Sequence, residues 1–300
     1  MPMKSVPLIF AVMIAPFWAT AEDAKPAEQP KPYTQKLDTV FGETDGVGLL
    51  MDVFTPKAKP NGLAIVDVAS GEWHSDRGKI RDHERAQFYD IFCSRGYVVF
   101  AIRPGSKSKF NGLEMLANVK TGIRFVRAHA KEYNIDPERL GLTGASAGGH
   151  LACLAAVTAD AGNPDAKDEG HRSSSHVKAV AVFFPPTDFL DWNGSPVPAD
   201  KFQDLFFGDR ASHTRVEAEA RAEELSPAVR VKNMPPPFLL IHGDADNRVP
   251  LQQSQIMLEA LQKAGGSAEL IVKPGGGHPW PTISEEVKIF ADWFDKQLKS

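Results

Sequence analysis

Gly144-Ala145-Ser146-Ala147-Gly148-Gly149 lies between an apolar run, Leu140-Gly141-Leu142-Thr143, and an alanine-rich run, His150-Leu151-Ala152-Cys153-Leu154-Ala155-Ala156-Val157. The succession reads as a strand, a sharp turn and a helix. In such a turn Ser146 sits in a strained backbone at the strand's carboxyl end. Glycines two positions to either side remove the Cβ atoms that would crowd it. The turn lifts the hydroxyl clear of the sheet and aims the unpaired N–H groups of a helix N-terminus at the same point. A lone G-x-S-x-G recurs by chance, so its weight rests on what the remainder of the chain supplies.

Outward from this turn, apolar runs and amphipathic stretches alternate. Leu37–Phe54 reads as two strands around Asp45-Gly46, and Leu63–Val68 and Tyr97–Ile102 as buried strands. Ile80–Arg95 reads as one helix closed by Gly96, and Leu113–Tyr133 as a long amphipathic helix. Beyond the turn, strands are expected at Val177–Phe184, Phe238–Ile241 and Ala268–Val272, with helices at Leu251–Ala264 and Ser284–Leu298. Strands alternating with helices predict an α/β fold with a mostly parallel central sheet flanked by helices. Pro185–Pro237 breaks the rhythm with prolines and scattered aromatics, and reads as a small insertion after the sixth strand.

A serine hydroxyl is a poor nucleophile unless a base takes its proton and a third group orients that base. In this chain order the acid and then the histidine are expected in loops after later strands. Asp244 and Asp246 follow Phe238–Ile241, and His278 closes Lys273-Pro-Gly-Gly-Gly after the next strand. Alone, either aspartate reads as a turn residue or helix cap and the histidine as a surface loop residue. Their joint occurrence in this order selects Ser146, Asp246 and His278 as catalytic. Asp246 is preferred to Asp244 because it lies deeper in the loop, in the pattern D-x-x-V-P. His150 and His242 read as structural.

The chain carries 34 Lys and Arg against 38 Asp and Glu, a net charge of −4. That balance favours neither nucleic acid nor an anionic membrane surface as partner. Cys93 and Cys153 read as small buried apolar residues. At the amino terminus, Lys4, the apolar run Val6–Trp18 and Ala19-Thr20-Ala21 fit a cleavable signal peptide over residues 1–21, with Glu22 as the mature start. The alternative is an uncleaved anchor, for which the run is short and interrupted by Pro7 and Pro16. Residues 22–36 read as a disordered leader and 37–300 as the folded domain, with the insertion at about 185–237. A secreted or periplasmic location follows from the signal.

Three segments carry a family resemblance: Ile123–Ala130, Tyr133–Leu151 and Pro236–Asp246. Through them the sequence resembles the α/β-hydrolase superfamily, specifically esterases of the hormone-sensitive-lipase and feruloyl-esterase-like (BD-FAE-like) type. The resemblance implies an α/β-hydrolase fold and hydrolysis of carboxylic esters through an acyl-enzyme, with no metal or organic cofactor. The family's oxyanion loop is usually His-Gly-Gly-Gly followed by an aromatic; here it reads Ala69-Ser70-Gly71-Glu72-Trp73. The expected oxyanion donors are the backbone N–H groups of Gly71, Glu72 and Ala147, since N–H direction matters there rather than side chain. A Glu72 carboxylate pointing inward would oppose the developing charge; outward, Arg77 or Arg103 are candidate partners. Trp73 and Trp280 flank the site and read either as stacking surfaces for a sugar or aromatic acid or as core.

Small soluble esters or acylated carbohydrate are the expected substrates. Two other readings share the motifs: a peptidase of the prolyl-oligopeptidase type, whose large propeller this chain has no room for, and a non-catalytic binding protein on the same fold.

Overall fold

The computed structural model describes residues 30–166, 171–208, 213–232 and 234–299. The expected signal peptide, and the leader as far as residue 29, lie outside the described residues. The described residues from Pro32 onward form one compact unit.

Eight strands of the described residues make one sheet: β1 (Tyr33–Thr44), β2 (Val47–Pro56), β3 (Ala64–Val68), β4 (Val98–Arg103), β5 (Leu140–Ala145), β6 (Ala179–Phe183), β7 (Phe238–Gly243) and β8 (Ala268–Lys273). Their spatial order is β1-β2-β4-β3-β5-β6-β7-β8. The β1–β2 and β2–β4 pairs are antiparallel and every later pair is parallel. The expected mostly parallel sheet is therefore what forms. Strand β1 begins at Tyr33, so the last four residues of the expected leader, Tyr33–Lys36, belong to the sheet and pair with Val53–Pro56.

Side chains alternate across the sheet with period two. On β4, Val98, Phe100 and Ile102 enter one apolar cluster, while Val99 and Ala101 enter the other. The first cluster is closed by α3 (Gly112–Ala128), α4 (Ala147–Val157) and α8 (Gln252–Lys263), the second by α2 (Phe88–Ser94) and α9 (Ile283–Lys299). Each fully buried side chain of Val, Leu or Phe size contributes about 1.5–3 kcal/mol. The long helix α3 starts where the sequence provides a capping box: Asn111 accepts from the N–H groups of Leu113 and Glu114, and Glu114 accepts from Asn111 N–H.

The single helix expected over Ile80–Arg95 is two, α1 (Arg77–Arg85) and α2, broken at Gln87. Gln87 has φ +58°, a left-handed conformation that costs an L-residue about 1–2 kcal/mol. The cause lies in what each half buries. Helix α1 is highly charged and buries only Ile80, whereas α2 buries Phe88, Tyr89, Phe92 and Cys93. One continuous helix could not give both halves their own face.

The insertion between β6 and β7 holds a 3₁₀ turn (Ala199–Phe202), α5 (Gln203–Phe207), α6 (Arg215–Leu225) and α7 (Pro227–Arg230). Its aromatics Phe189, Phe202, Phe206 and Phe207 are buried in the first cluster. The insertion thus extends the main core.

Candidate active site

Ser146 occupies the turn between β5 and α4 with φ +53° and ψ −120°. Its N–H is held by Phe183 O at 3.0 Å, fixing the strained residue to β6. The neighbouring glycines are required by close backbone approach. A Cβ on Gly148 would sit 2.2 Å from Val68 O, and one on Gly144 would sit 2.5 Å from the backbone of Gly148. No side chain fits either place.

The other two predicted residues converge on this serine. His278 Nε2 is 2.8 Å from Ser146 Oγ, and His278 Nδ1 is 2.6 Å from Asp246 Oδ2. A carboxylate can only accept, so Nδ1 carries the proton and Nε2 accepts from the serine hydroxyl. The Asp246 side chain is fully buried. Burial alone would raise its pKa. Hydrogen bonds from His242, His278 and the N–H groups of Val249 and Arg248 outweigh that effect and hold the carboxyl well below the usual carboxylate range. Asp244, the rejected alternative, instead accepts from Gly275 N–H at 2.7 Å and shapes the glycine-rich loop that carries His278.

Two further residues complete this arrangement. His242, at the end of β7, gives Nε2–H to Val249 O at 2.9 Å and accepts from the Ser254 hydroxyl at 2.7 Å. Its Nε2 also lies 3.5 Å from Asp246 Oδ2. The structural reading of His242 holds, but the structure it supports is the acid. Phe184, at the end of β6 with φ +35°, places its ring 4.4 Å from that of His278. The only sequence signal for either was a position at the carboxyl end of a strand, where groups of an open α/β sheet converge.

The oxyanion loop departs from expectation at one residue. Gly71 gives its N–H to His74 O at 2.9 Å, and His74 N–H returns to Gly71 O. Its expected role as an oxyanion donor is corrected: the loop closes on itself in a tight turn and consumes that N–H. The N–H groups of Glu72 and Ala147 have no acceptor among the described residues. Gly148 N–H, one residue further on, binds Ser70 O at 3.0 Å and ties the loop to the first turn of α4. The tight turn puts Glu72 and Trp73 at φ +52° and +57°.

The Glu72 carboxylate is exposed and ion-paired, but neither Arg77 nor Arg103 is its partner. Both arginines are taken by Asp38 and Asp52 of β1 and β2. Glu72 pairs instead with Arg248 of the acid loop at 2.8 Å, on the rim.

Trp73 and Trp280 are core rather than stacking surfaces. Trp73 Nε1–H donates to His150 Nδ1 at 3.0 Å, and its ring packs against Phe189 and Phe202 of the insertion. His150 in turn gives Nε2–H to Leu225 O at 2.7 Å. Both ring nitrogens are committed in a neutral imidazole, and burial lowers the pKa to about 4. Trp280 donates to Glu286 Oε2 at 2.8 Å.

Ser146 and His278 open onto a cleft of about 530 Å³. Its walls come from the oxyanion loop, from α1 (notably Lys79 and His83) and from Pro279–Ile283, and none comes from the aromatics of the insertion. His83 Nδ1 bonds to the buried Asp67 of β3 at 2.7 Å, and Tyr89 gives its hydroxyl to the same carboxylate oxygen. Burial alone would lower the His83 pKa; Asp67 outweighs it and the net displacement is upward. Among the described residues no group of three or more His, Cys, Asp or Glu is placed to hold a metal ion, and no helix is long and apolar enough to cross a membrane.

A serine in a strand–turn–helix elbow, followed in chain order by an acid and a histidine that reach it from successive strand ends, defines the α/β-hydrolase fold. Comparison with known proteins narrows the class. The BD-FAE family model matches residues 51–261, and the chain belongs to that family.

Esterase LipC of Mycobacterium tuberculosis is 28% identical over 272 residues, covering 87% of this chain and 64% of that protein. A truncated carbohydrate esterase from gut microbiota superposes with a TM-score of 0.78 at 27% identity, covering 90% of this chain and 98% of that one. A butyrate-bound esterase, Est2 of Thermogutta terrifontis, superposes with a TM-score of 0.67 at 26% identity, covering 88% and 94%. The chain spans about half to two thirds of the length of the curated relatives it matches.

Proposed function

We propose that this protein is a serine carboxylic-ester hydrolase that works through an acyl-enzyme on small or carbohydrate-linked esters. The observation that carries the reading is the continuous line Asp246–His278–Ser146, with contacts of 2.6 and 2.8 Å, at the floor of an open cleft.

His278 Nε2 takes the proton as Ser146 Oγ attacks the ester carbonyl. The negative oxygen that forms is stabilised by Ala147 N–H and Glu72 N–H, neither of which has an acceptor among the described residues. His278 then gives its proton to the leaving alcohol. Water, activated by the same nitrogen, attacks the acyl-enzyme and releases the acid. Asp246 stays ionised throughout and holds the Nδ1–H tautomer. The names of the relatives support ester chemistry. The carbohydrate esterase and the butyrate-bound esterase favour short acyl groups and sugar-linked alcohols, which a cleft of about 530 Å³ accommodates.

The test is hydrolysis of p-nitrophenyl esters, acetate through octanoate, by the chain beginning at Glu22 and by its Ser146→Ala variant. Turnover in the first and none in the second is expected, and no difference between them would sink the proposal. The same reading includes export through the signal at residues 1–21. Amino-terminal sequencing of the secreted or periplasmic protein is expected to begin at Glu22, and a sequence beginning at Met1 would refute cleavage.

A further inference from the structure

Gly71 poses a question that the oxyanion reading leaves open. It does not donate its N–H to the site, and its backbone is not among the positive-φ positions that favour glycine. Its missing side chain is nonetheless used. A Cβ at Gly71 would lie 3.0 Å from both Cδ and Cε of Lys79 and 3.2 Å from Nζ. The lysine stem therefore crosses the oxyanion loop in the room that the missing side chain leaves, and a Cβ there would press on it.

The ammonium that this stem carries has no counter-ion among the described residues. Lys79 is half-buried and lines the cleft that holds Ser146, and its Nζ makes no ion pair or hydrogen bond among the described residues. The carboxylates beside it are spoken for: Glu72 by Arg248 at 2.8 Å and Asp82 by Arg85 at 2.7 Å. One helical turn further along α1, at i+4 and on the same face, His83 also lines the cleft. Its Nδ1 is committed to Asp67, while Nε2 has no partner among the described residues. In a protein of net charge −4, one wall of the cleft thus carries an uncompensated cation beside a second unpaired nitrogen.

We propose that Lys79 and His83 form a subsite for a carboxylate carried by the ester substrate. Lys79 Nζ takes one oxygen and His83 Nε2–H the other. A bound anion favours the doubly protonated imidazole, whose Nδ1–H remains on Asp67. The substrate class is then an acidic ester: an acylated uronic acid if the carboxylate is on the alcohol, or a hemiester of a dicarboxylic acid if it is on the acyl group. This deepens the esterase reading and rests on it.

The experiment compares kcat/KM for matched anionic and neutral esters. One arm pairs p-nitrophenyl hemisuccinate with p-nitrophenyl butyrate. The other pairs acetylated methyl galacturonoside with acetylated methyl galactoside. In at least one arm the wild type is expected to prefer the anionic ester by on the order of tenfold, the value of a charge-assisted hydrogen bond. Lys79→Met should abolish that preference and Lys79→Glu should invert it. Arg81→Met, an exposed control on the same helix that does not line the cleft, should keep it.

Equal turnover of both members in both arms would overturn the subsite. So would a Lys79→Met variant that slows anionic and neutral esters alike, since the lysine would then serve the reaction itself. Should the lysine variants fail to fold, inhibition of the wild type decides. Succinate is expected to inhibit about tenfold more tightly than succinamide, and equal inhibition would overturn the proposal. If the wild type turns over no ester, the esterase reading fails. The subsite is then judged by whether succinate, but not succinamide, slows labelling of Ser146 by a fluorophosphonate.

Discussion

His242 Nε2 stands 3.5 Å from Asp246 Oδ2, the same oxygen that His278 Nδ1 holds at 2.6 Å. The acid is thus flanked by two imidazoles, one facing the reacting serine and one facing the core. The inner ring is anchored by Val249 O and Ser254 Oγ, so it fixes the position of the carboxylate without touching substrate.

Replacing His242 by Phe keeps a ring in the core and removes both anchors. The Asp246 carboxylate then loses one of the groups that hold it ionised and placed. The expected result is a fall in kcat of about tenfold, the worth of one polar contact to a charge, with KM held. A KM effect of equal size would show that His242 instead shapes the cleft.

Asp246→Asn leaves the hydrogen-bond distance intact and reverses its sense. An amide NH₂ can donate to His278 Nδ1, which then drives the proton onto Nε2, where the serine needs an acceptor. The expected loss in kcat is about 10⁴-fold. Urea unfolding should confirm that the variant remains folded, so that the loss is read as chemistry.

Glu72→Gly is expected to stabilise the protein. Glu72 has φ +52°, which costs an L-residue about 1–2 kcal/mol. The added flexibility of glycine when unfolded offsets about 0.5–1 kcal/mol of that. The lost pair with Arg248 is exposed on both sides and contributes less than about 1 kcal/mol. At the middle of these ranges the balance favours the variant by a few tenths of a kcal/mol, visible as a small rise in Tm. A fall in Tm would mean that the rim pair with Arg248 is worth more than its exposure implies.

His150 links stability to pH. Its pKa falls from 6.5 to about 4 on burial between Trp73 and Leu225. The unfolded chain therefore binds the extra proton first as pH drops. The contribution is fully present above pH 6.5 and is lost progressively down to pH 4, a span worth about 3 kcal/mol. In His150→Gln that part of the pH dependence should vanish. Urea midpoints at pH 7, 5.5 and 4.5, wild type against variant, measure the difference. Parallel pH curves would contradict the assignment.

Much of the fold and of the reacting centre was legible because it is written in short-range constraints. Gly144 is forced by the backbone of Gly148 within the same turn, and Asp246 and His278 each follow a strand that the apolar pattern reveals. What stayed hidden depends on long-range approach. Gly71 looked like a donor because its position in the loop matched one, yet its N–H turns back to His74. The partner of Glu72 comes from Arg248, 176 residues away. The break at Gln87 was invisible to periodicity, since both halves are helical and only the sheet decides which face each buries. The aromatic rings of the insertion serve the core, and the charged helix α1 lines the cleft, a role that no periodicity in its sequence announces.

The anchoring of Trp73 bears on how the molecule ages under heat. Many active sites soften first, because their loops hang from the scaffold by few contacts and open well below the temperature at which the scaffold melts. Here the tryptophan that ends the oxyanion loop is rooted among Phe189, Phe202 and His150, so opening the loop at that end means unpacking part of the core. Loss of activity on warming should follow the global unfolding curve rather than precede it, and durability and competence would then be selected together.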